Sequence, residues 1–388
     1  MTAHAGNLSF MSDPRPDQPP SADLPACSGD APAAPGSSPA PAPPGAPRPR
    51  ARRWPLLHHP ALYGALVLFL VACSFDRWLP IPKSARIGSR GAPRGTPALA
   101  GRLPSDPEAA LLVVLPPIIL GSGLLVGYIV LRSYNIRVFP RCDFPGASWT
   151  AWHLVRCAIV FLVLQRLVLA AWAWLERVRG VGAALARVPP MILQVVGTNI
   201  LTAATCAFVL LLVAAGGEDP FRALGLREKR VLNRMGIGLV GYLMVFPLVM
   251  LAGLLVWLLG PAFGIERQEQ HLITTARHLS PAGFGALLVF AALVVPATEE
   301  FLFRGFLYTT LRRYMGPLEG ICASALLFAL PHVFDGPTVN LSVVPQLFVV
   351  GFLLAYLYER TGSLVASIAA HACHNLHMLA IIRLLQHG

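Results

Sequence analysis

Acidic side chains are scarce in this chain, with 19 Asp and Glu against 31 Lys and Arg in 388 residues, and charged residues of both signs reach only 13%. Hydrophobic residues reach 55% and gather in runs that approach the roughly 20 residues needed to cross a bilayer. A water-soluble globule is therefore excluded in favour of a polytopic membrane protein. Cysteine is sparse too. None of the seven stands in a CxxC pair and most lie inside apolar runs, so neither a disulfide framework nor a redox dithiol is indicated. There is no HExxH pair, no extended alternating pattern that would mark strands, and no internal repeat. The net charge of +12 comes without any module of interleaved basic and aromatic residues, so nucleic acid is not expected as a partner. The arginines cluster in loops beside apolar runs, which reads as membrane topology and lipid headgroup contact.

What is present divides the chain in three. Residues 1–56 are rich in Pro, Ala, Ser and Gly and end in Arg48-Pro-Arg-Ala-Arg-Arg53. They lack the apolar surface to offset ordering entropy and read as a disordered cytoplasmic tail. Residues 57–281 read as N-terminal transmembrane helices and loops, with spans near 59–79, 109–131, 154–175, 190–215 and 236–260. The loop at about 80–107 carries Lys83, Arg86, Arg90, Arg94 and Arg102, so both flanks of the first span are basic and the orientation stays open. Arg166, near the middle of the third span, should face protein or water. Phe221–Arg230 is a basic amphipathic segment expected at the cytoplasmic interface. Residues 282–386 hold four more spans, near 282–312, 317–333, 340–358 and 364–386. The expected fold is all-α, since only helices and closed barrels satisfy their backbones in lipid. Eight or nine transmembrane helices are expected, with the active site among the last four.

The charge that does enter an apolar helix is concentrated in Glu299, Glu300 and Arg304. Ionisable groups at membrane depth are costly and face a protein interior or a wet cavity. Glu300 and Arg304 are four apart and can pair, while Glu299 is rotated about 100° away. One acid reads as structural and the other as available for proton transfer, although the trio equally fits a buried packing network.

The neighbouring helices add polar groups at helical spacing. Phe328 and His332 are four apart, with Pro331 positioned to bend the helix beside the histidine. His371 and Asn375 are also four apart, with His374 and His377 on other sides of the same helix. A lone intramembrane His or Asn is most often interhelical glue. Together the groups supply a base, proton donors and carbonyl-polarising groups, which is what water attack on an amide requires.

Glu299-Glu300-x-x-x-Arg304, Phe328-x-x-x-His332 and His371-x-x-x-Asn375, in that order, resemble the three motifs of the CPBP intramembrane proteases, the family of the CAAX prenyl endoproteases and bacterial Abi-type proteins. The lead-in Gly362-Ser-Leu before His371 is also similar. The resemblance covers about 282–380. It implies that Glu299 activates water, His332 assists, His371 and Asn375 stabilise the oxyanion, and Glu300, Arg304 and Phe328 support the site. It implies cleavage near the C-terminus of a membrane-associated protein substrate, prenylated or carrying a sorting signal. The alternative is a non-catalytic scaffold or bacteriocin-immunity protein of the same fold. No cofactor is firmly implied. A divalent metal such as zinc, if used, would be held by Glu299, His332 and His371, whereas the glutamate mechanism needs none. The lipid bilayer is the other expected partner, in the plasma (inner) membrane of a bacterium.

Overall fold

A computed structural model describes residues 60–74, 107–136, 138–139, 149–178, 180–188, 190–265, 276, 279–333 and 339–387. The tail 1–56, nearly all of the loop 80–107 and most of the loop after the fifth span lie outside these residues. The described residues are helical, with no strand among them. The main helices are α1 (Pro60–Ser74), α2 (Pro107–Ser133), α3 (Ala151–Leu175), α4 (Pro190–Ala215) and α5 (Val231–Leu259). After them come α6 (281–315, in five differently wound pieces), α7 (Pro317–Val333), α8 (Val344–Thr361) and α9 (Leu364–His387).

The boundaries follow from local chemistry. Proline opens α1, α2, α4, α6 and α7, where its missing N–H costs nothing. The Ser280 hydroxyl accepts from Gly283 N–H and caps α6. Gly362, at φ +63°, ends α8 in the left-handed conformation and returns its N–H to the Tyr358 carbonyl. Gly316, at φ +90°, makes the one-residue turn from α6 to α7.

Among the described residues, seven helices are long and apolar enough to cross a membrane: α2 to α6, α8 and α9. The shorter helices α1 and α7 bring this to the expected eight or nine. α7 has 17 residues, about 25 Å of helix against a hydrocarbon core of about 30 Å. α1 is described over 15 residues, and the rest of the span expected to reach 79 lies outside the described residues. Large apolar side chains such as Leu112, Ile119 and Trp257 point outward, as lipid-facing residues do. In α3 the buried cation is Arg156, whose guanidinium lies 5.1 Å from the centre of the Tyr63 ring. Arg166 is only partly buried.

The core lies where α5, α8 and α9 meet. Tyr242, Phe246, Val249, Leu354, Leu357 and Ala366 form its buried centre. Helices attract weakly in lipid unless small residues let their backbones approach. Gly238 supplies that approach, because a Cβ there would collide with the Ala366 carbonyl oxygen. Gly238→Val is expected to cost about 1–3 kcal/mol through overpacking, read as a lower thermal midpoint of the detergent-solubilised protein. An unchanged midpoint would mean that α5 and α9 are not in register here.

α6 carries the acids and is irregularly wound. Phe290–Val294 and Phe301–Tyr308 are π-helical, flanking the α-helical Val295–Glu300. Such turns are rare and concentrate at functional sites. The Gly316 turn sets Glu299 and His332 level with each other, since they lie 17 residues before it and 16 after it. Both are roughly 25 Å along their helices from the turn. Counting inward from Ala282 puts the two acids and the histidine at opposite sides of the membrane and demands a strong tilt or a re-entrant segment. Counted from the Gly316 turn instead, the two groups fall at the same level.

Candidate active site

The site is built on α6, α7, α8 and α9. Glu300 and Arg304 are both fully buried, with Arg304 Nη1 donating to Glu300 Oε1 at 2.7 Å. Arg304 Nη2 donates to the Gly351 carbonyl on α8 at 3.1 Å. Its guanidinium carbon lies 4.4 Å from the centre of the Phe328 ring. The arginine thus ties three helices together, and the pairing expected from the four-residue spacing is present.

His371 enters from α9. Its Nδ1 lies 2.9 Å from Glu300 Oε1. The Glu300 oxygen that accepts from Arg304 also accepts here, so Nδ1 is the donor and Nε2 is left facing the other way. Nε2 faces Glu299, whose Oε2 is 3.9 Å distant. That gap is too long for a direct hydrogen bond and suits a bridging water. Glu299 keeps a quarter of its side-chain surface exposed, unlike the sealed Glu300. Two adjacent glutamates thus meet opposite environments.

Phe328 is the hub. Its ring packs edge-on to His371 with centroids 5.7 Å apart and against His332 at 5.4 Å. His332 Nδ1 lies 3.1 Å from the Phe328 carbonyl oxygen, so this nitrogen donates and Nε2 is left for other partners. Asn375 is one turn beyond His371, and its Nδ2 donates to the Ala291 carbonyl inside the first π segment at 2.9 Å. One N–H of that amide remains for another acceptor. Glu299, Glu300, Arg304, Phe328, His332 and His371 are therefore linked in one cluster, with Asn375 one helical turn further along α9.

His374 and His377 belong elsewhere. His377 Nδ1 is 2.5 Å from the Tyr242 hydroxyl, its Nε2 is 3.3 Å from the Val113 carbonyl oxygen, and His374 packs on the Tyr242 ring. They fasten α9 to α5 and α2.

A divalent metal would need Glu299, His332 and His371 together. Among the described residues, no three His, Cys, Asp or Glu side chains are grouped so as to hold an ion.

The motifs sit in a recognised context. Residues 281–377 match the family model described as Type II CAAX prenyl endopeptidase Rce1-like. The match spans 97 of the 388 residues and shows what this segment is similar to. No curated protein and no solved structure matches the chain. The Rce1-like segment runs from the start of α6 into α9 and contains every residue of the cluster. The chain is thus an integral multi-pass membrane protein with a segment similar to the CAAX-type proteases.

Sequence reasoning missed Glu359, at the end of α8. Its carboxylate accepts from Arg312 Nε at 2.7 Å, from Arg312 Nη2 at 3.0 Å and from the Tyr308 hydroxyl at 2.7 Å. It clamps α6 just beyond the second π segment. The available signal was an acid at a helix end in a chain with few acids and an unassigned Arg312-Arg313.

Proposed function

We propose that this protein is an intramembrane endopeptidase that hydrolyses a peptide bond near the C-terminus of a membrane-associated protein, with Glu299 as the general base. The observation that carries the reading is the asymmetry of the acid pair, since Glu300 is sealed by Arg304 and His371 while Glu299 is open and faces His371 Nε2. In the proposed step Glu299 takes a proton from a water lying between it and His371, and the water oxygen bonds to the scissile carbonyl carbon. The carbonyl oxygen gains the electron pair and is met by the spare N–H of Asn375 and by the Nε2–H that His371 or His332 presents as an imidazolium. The C–N bond then breaks, and Glu299 returns its proton to the leaving amine. Glu300 and Arg304 fix the orientation of His371, and Phe328 keeps both imidazoles in place. Substrates with prenylated or sorting-signal C-termini fit the family, and a bacterial plasma membrane fits such a chain.

The test uses proteoliposomes of the full chain with a library of membrane-tethered peptides randomised near their C-termini, read by mass spectrometry. Shortened C-termini are expected with the wild type and not with Glu299→Gln. Equal cleavage by both would remove Glu299 from the chemistry.

A further inference from the structure

The turn joining α4 to α5 lies at the end of the bundle that also holds the start of α3, the end of α6 and the α8–α9 turn. Leu364 N–H, at the first residue of α9, donates to the Gly225 carbonyl at 3.0 Å. Trp149, just before α3, donates from its indole to Thr310 of α6 at 2.9 Å. Leu224 is fully buried, and its carbonyl packs against Gly305 on the acid-bearing helix. Gly225 is held at φ +73°, and a Cβ there would come within 2.8 Å of the Gly362 carbonyl oxygen and the Tyr358 ring. The turn is therefore fixed on the bundle at its centre.

Around that anchor the charges do not balance. Asp219 is engaged by Phe221 N–H at 3.0 Å and by Arg227 at 3.3 Å. Glu228 pairs with the buried Arg234 at 2.9 Å. Burial works to raise the Glu228 carboxyl. The Arg230 N–H, the Arg234 guanidinium and the Ser363 hydroxyl outweigh it and hold the group below the usual carboxylate range. Asp219 and Glu228 are thus each matched to one cation, while the third acid of the turn, Glu218, is half-buried. Arg222, Lys229 and Arg230 remain, all exposed and with no ion pair among the described residues. Beside them Phe221 is 56% exposed and Leu232, at the start of the apolar α5, is 84% exposed.

We propose that the turn 219–232 is a binding surface for the headgroups of acidic phospholipids, with Arg222, Lys229 and Arg230 meeting the phosphates and Phe221 and Leu232 entering the acyl boundary. A soluble anion would satisfy the cations but leave the two apolar side chains in water, whereas a lipid satisfies both. The turn's position at a helix-bundle end, continuous with the membrane-crossing α4 and α5, puts these side chains where headgroups lie. Because the same turn caps α9 and touches α6, lipid bound here also braces the helices that carry Glu299 and His371. The lipid site itself stands independently of the protease reading.

The full-length protein in detergent is titrated with phosphatidylglycerol or phosphatidylcholine and bound lipid is counted by native mass spectrometry. The triple variant R222Q/K229Q/R230Q is compared with R177Q/R187Q, which removes exposed cations at the opposite end of the bundle. Phosphatidylglycerol affinity is expected to fall at least 10-fold in the triple variant, from the loss of three charges each contributing near an anionic surface. R177Q/R187Q should bind as the wild type does, and phosphatidylcholine should show no difference among the three. Inorganic phosphate should not displace the lipid at concentrations matching its headgroups. Equal phosphatidylglycerol binding by the triple variant and the wild type would overturn the proposal, as would complete displacement by phosphate. An altered far-UV CD spectrum would assign any loss to folding, and F221S, which keeps every charge, then decides, with weakened phosphatidylglycerol binding expected and unchanged binding contradicting.

Discussion

Glu299→Gln removes roughly 100- to 10,000-fold of the cleavage rate, the contribution of a positioned general base, while the protein keeps its fold. The amide has the shape of the carboxylate but cannot take the proton of the attacking water. Glu299 is partly exposed and has no partner closer than the His371 Nε2 at 3.9 Å, so neutralising it leaves no buried charge unpaired. Thermal midpoint and expression should match the wild type. Substrate binding should be retained, so that the loss appears in kcat rather than in KM. Glu300→Gln contrasts with it, since that change weakens the hold on both Arg304 and His371 and should lower stability and activity together. If Glu299→Gln lost stability and Glu300→Gln lost only activity, the two roles would be reversed.

Arg304→Met is the second large effect, and it falls on the fold. The guanidinium is fully buried and is shared by Glu300, the Gly351 carbonyl and the Phe328 ring. Removing it strands the Glu300 carboxylate inside the bundle and takes from the Gly351 carbonyl its bond to the guanidinium. Breaking a buried pair from one side costs about 3–5 kcal/mol, enough to remove most of the stability of an ordinary domain. Little folded protein should be recovered from membranes. The double variant Glu300→Gln with Arg304→Met removes both charges and should recover part of the loss, the sign of direct coupling. A single Arg304→Met variant with wild-type yield and midpoint would show that the pair is dispensable.

These effects trace back to features of unequal visibility in the sequence. The Glu300–Arg304 pair was legible, because a four-residue spacing in a helix is enough to predict it even though the helix winds as π from Phe301 onward. The winding itself was not legible, since the apolar residues around the acids have no period that separates α from π. The role of Gly316-Pro317 was present in the sequence as a stop and a start. The near-equal distances of Glu299 and His332 from it gain meaning only once α6 and α7 are seen to join there. Asn375 was read as part of the site, but its bond to Ala291 spans 84 residues and needed the fold. Glu359 could not be paired with Tyr308 and Arg312 from sequence, because its partners lie 51 and 47 residues away on another helix.

The central claim is that Glu299 performs peptide hydrolysis in the membrane. It is tested most directly by mass spectrometry of the C-terminal peptides of membrane proteins in cells that carry the wild type, no copy, or Glu299→Gln at matched expression. A set of C-termini shortened only with the wild type is the predicted result, and the cut sites would define the substrate class. Identical C-termini in all three samples, with a phenotype of the missing copy that Glu299→Gln rescues, would contradict the account and favour a scaffold of the same fold.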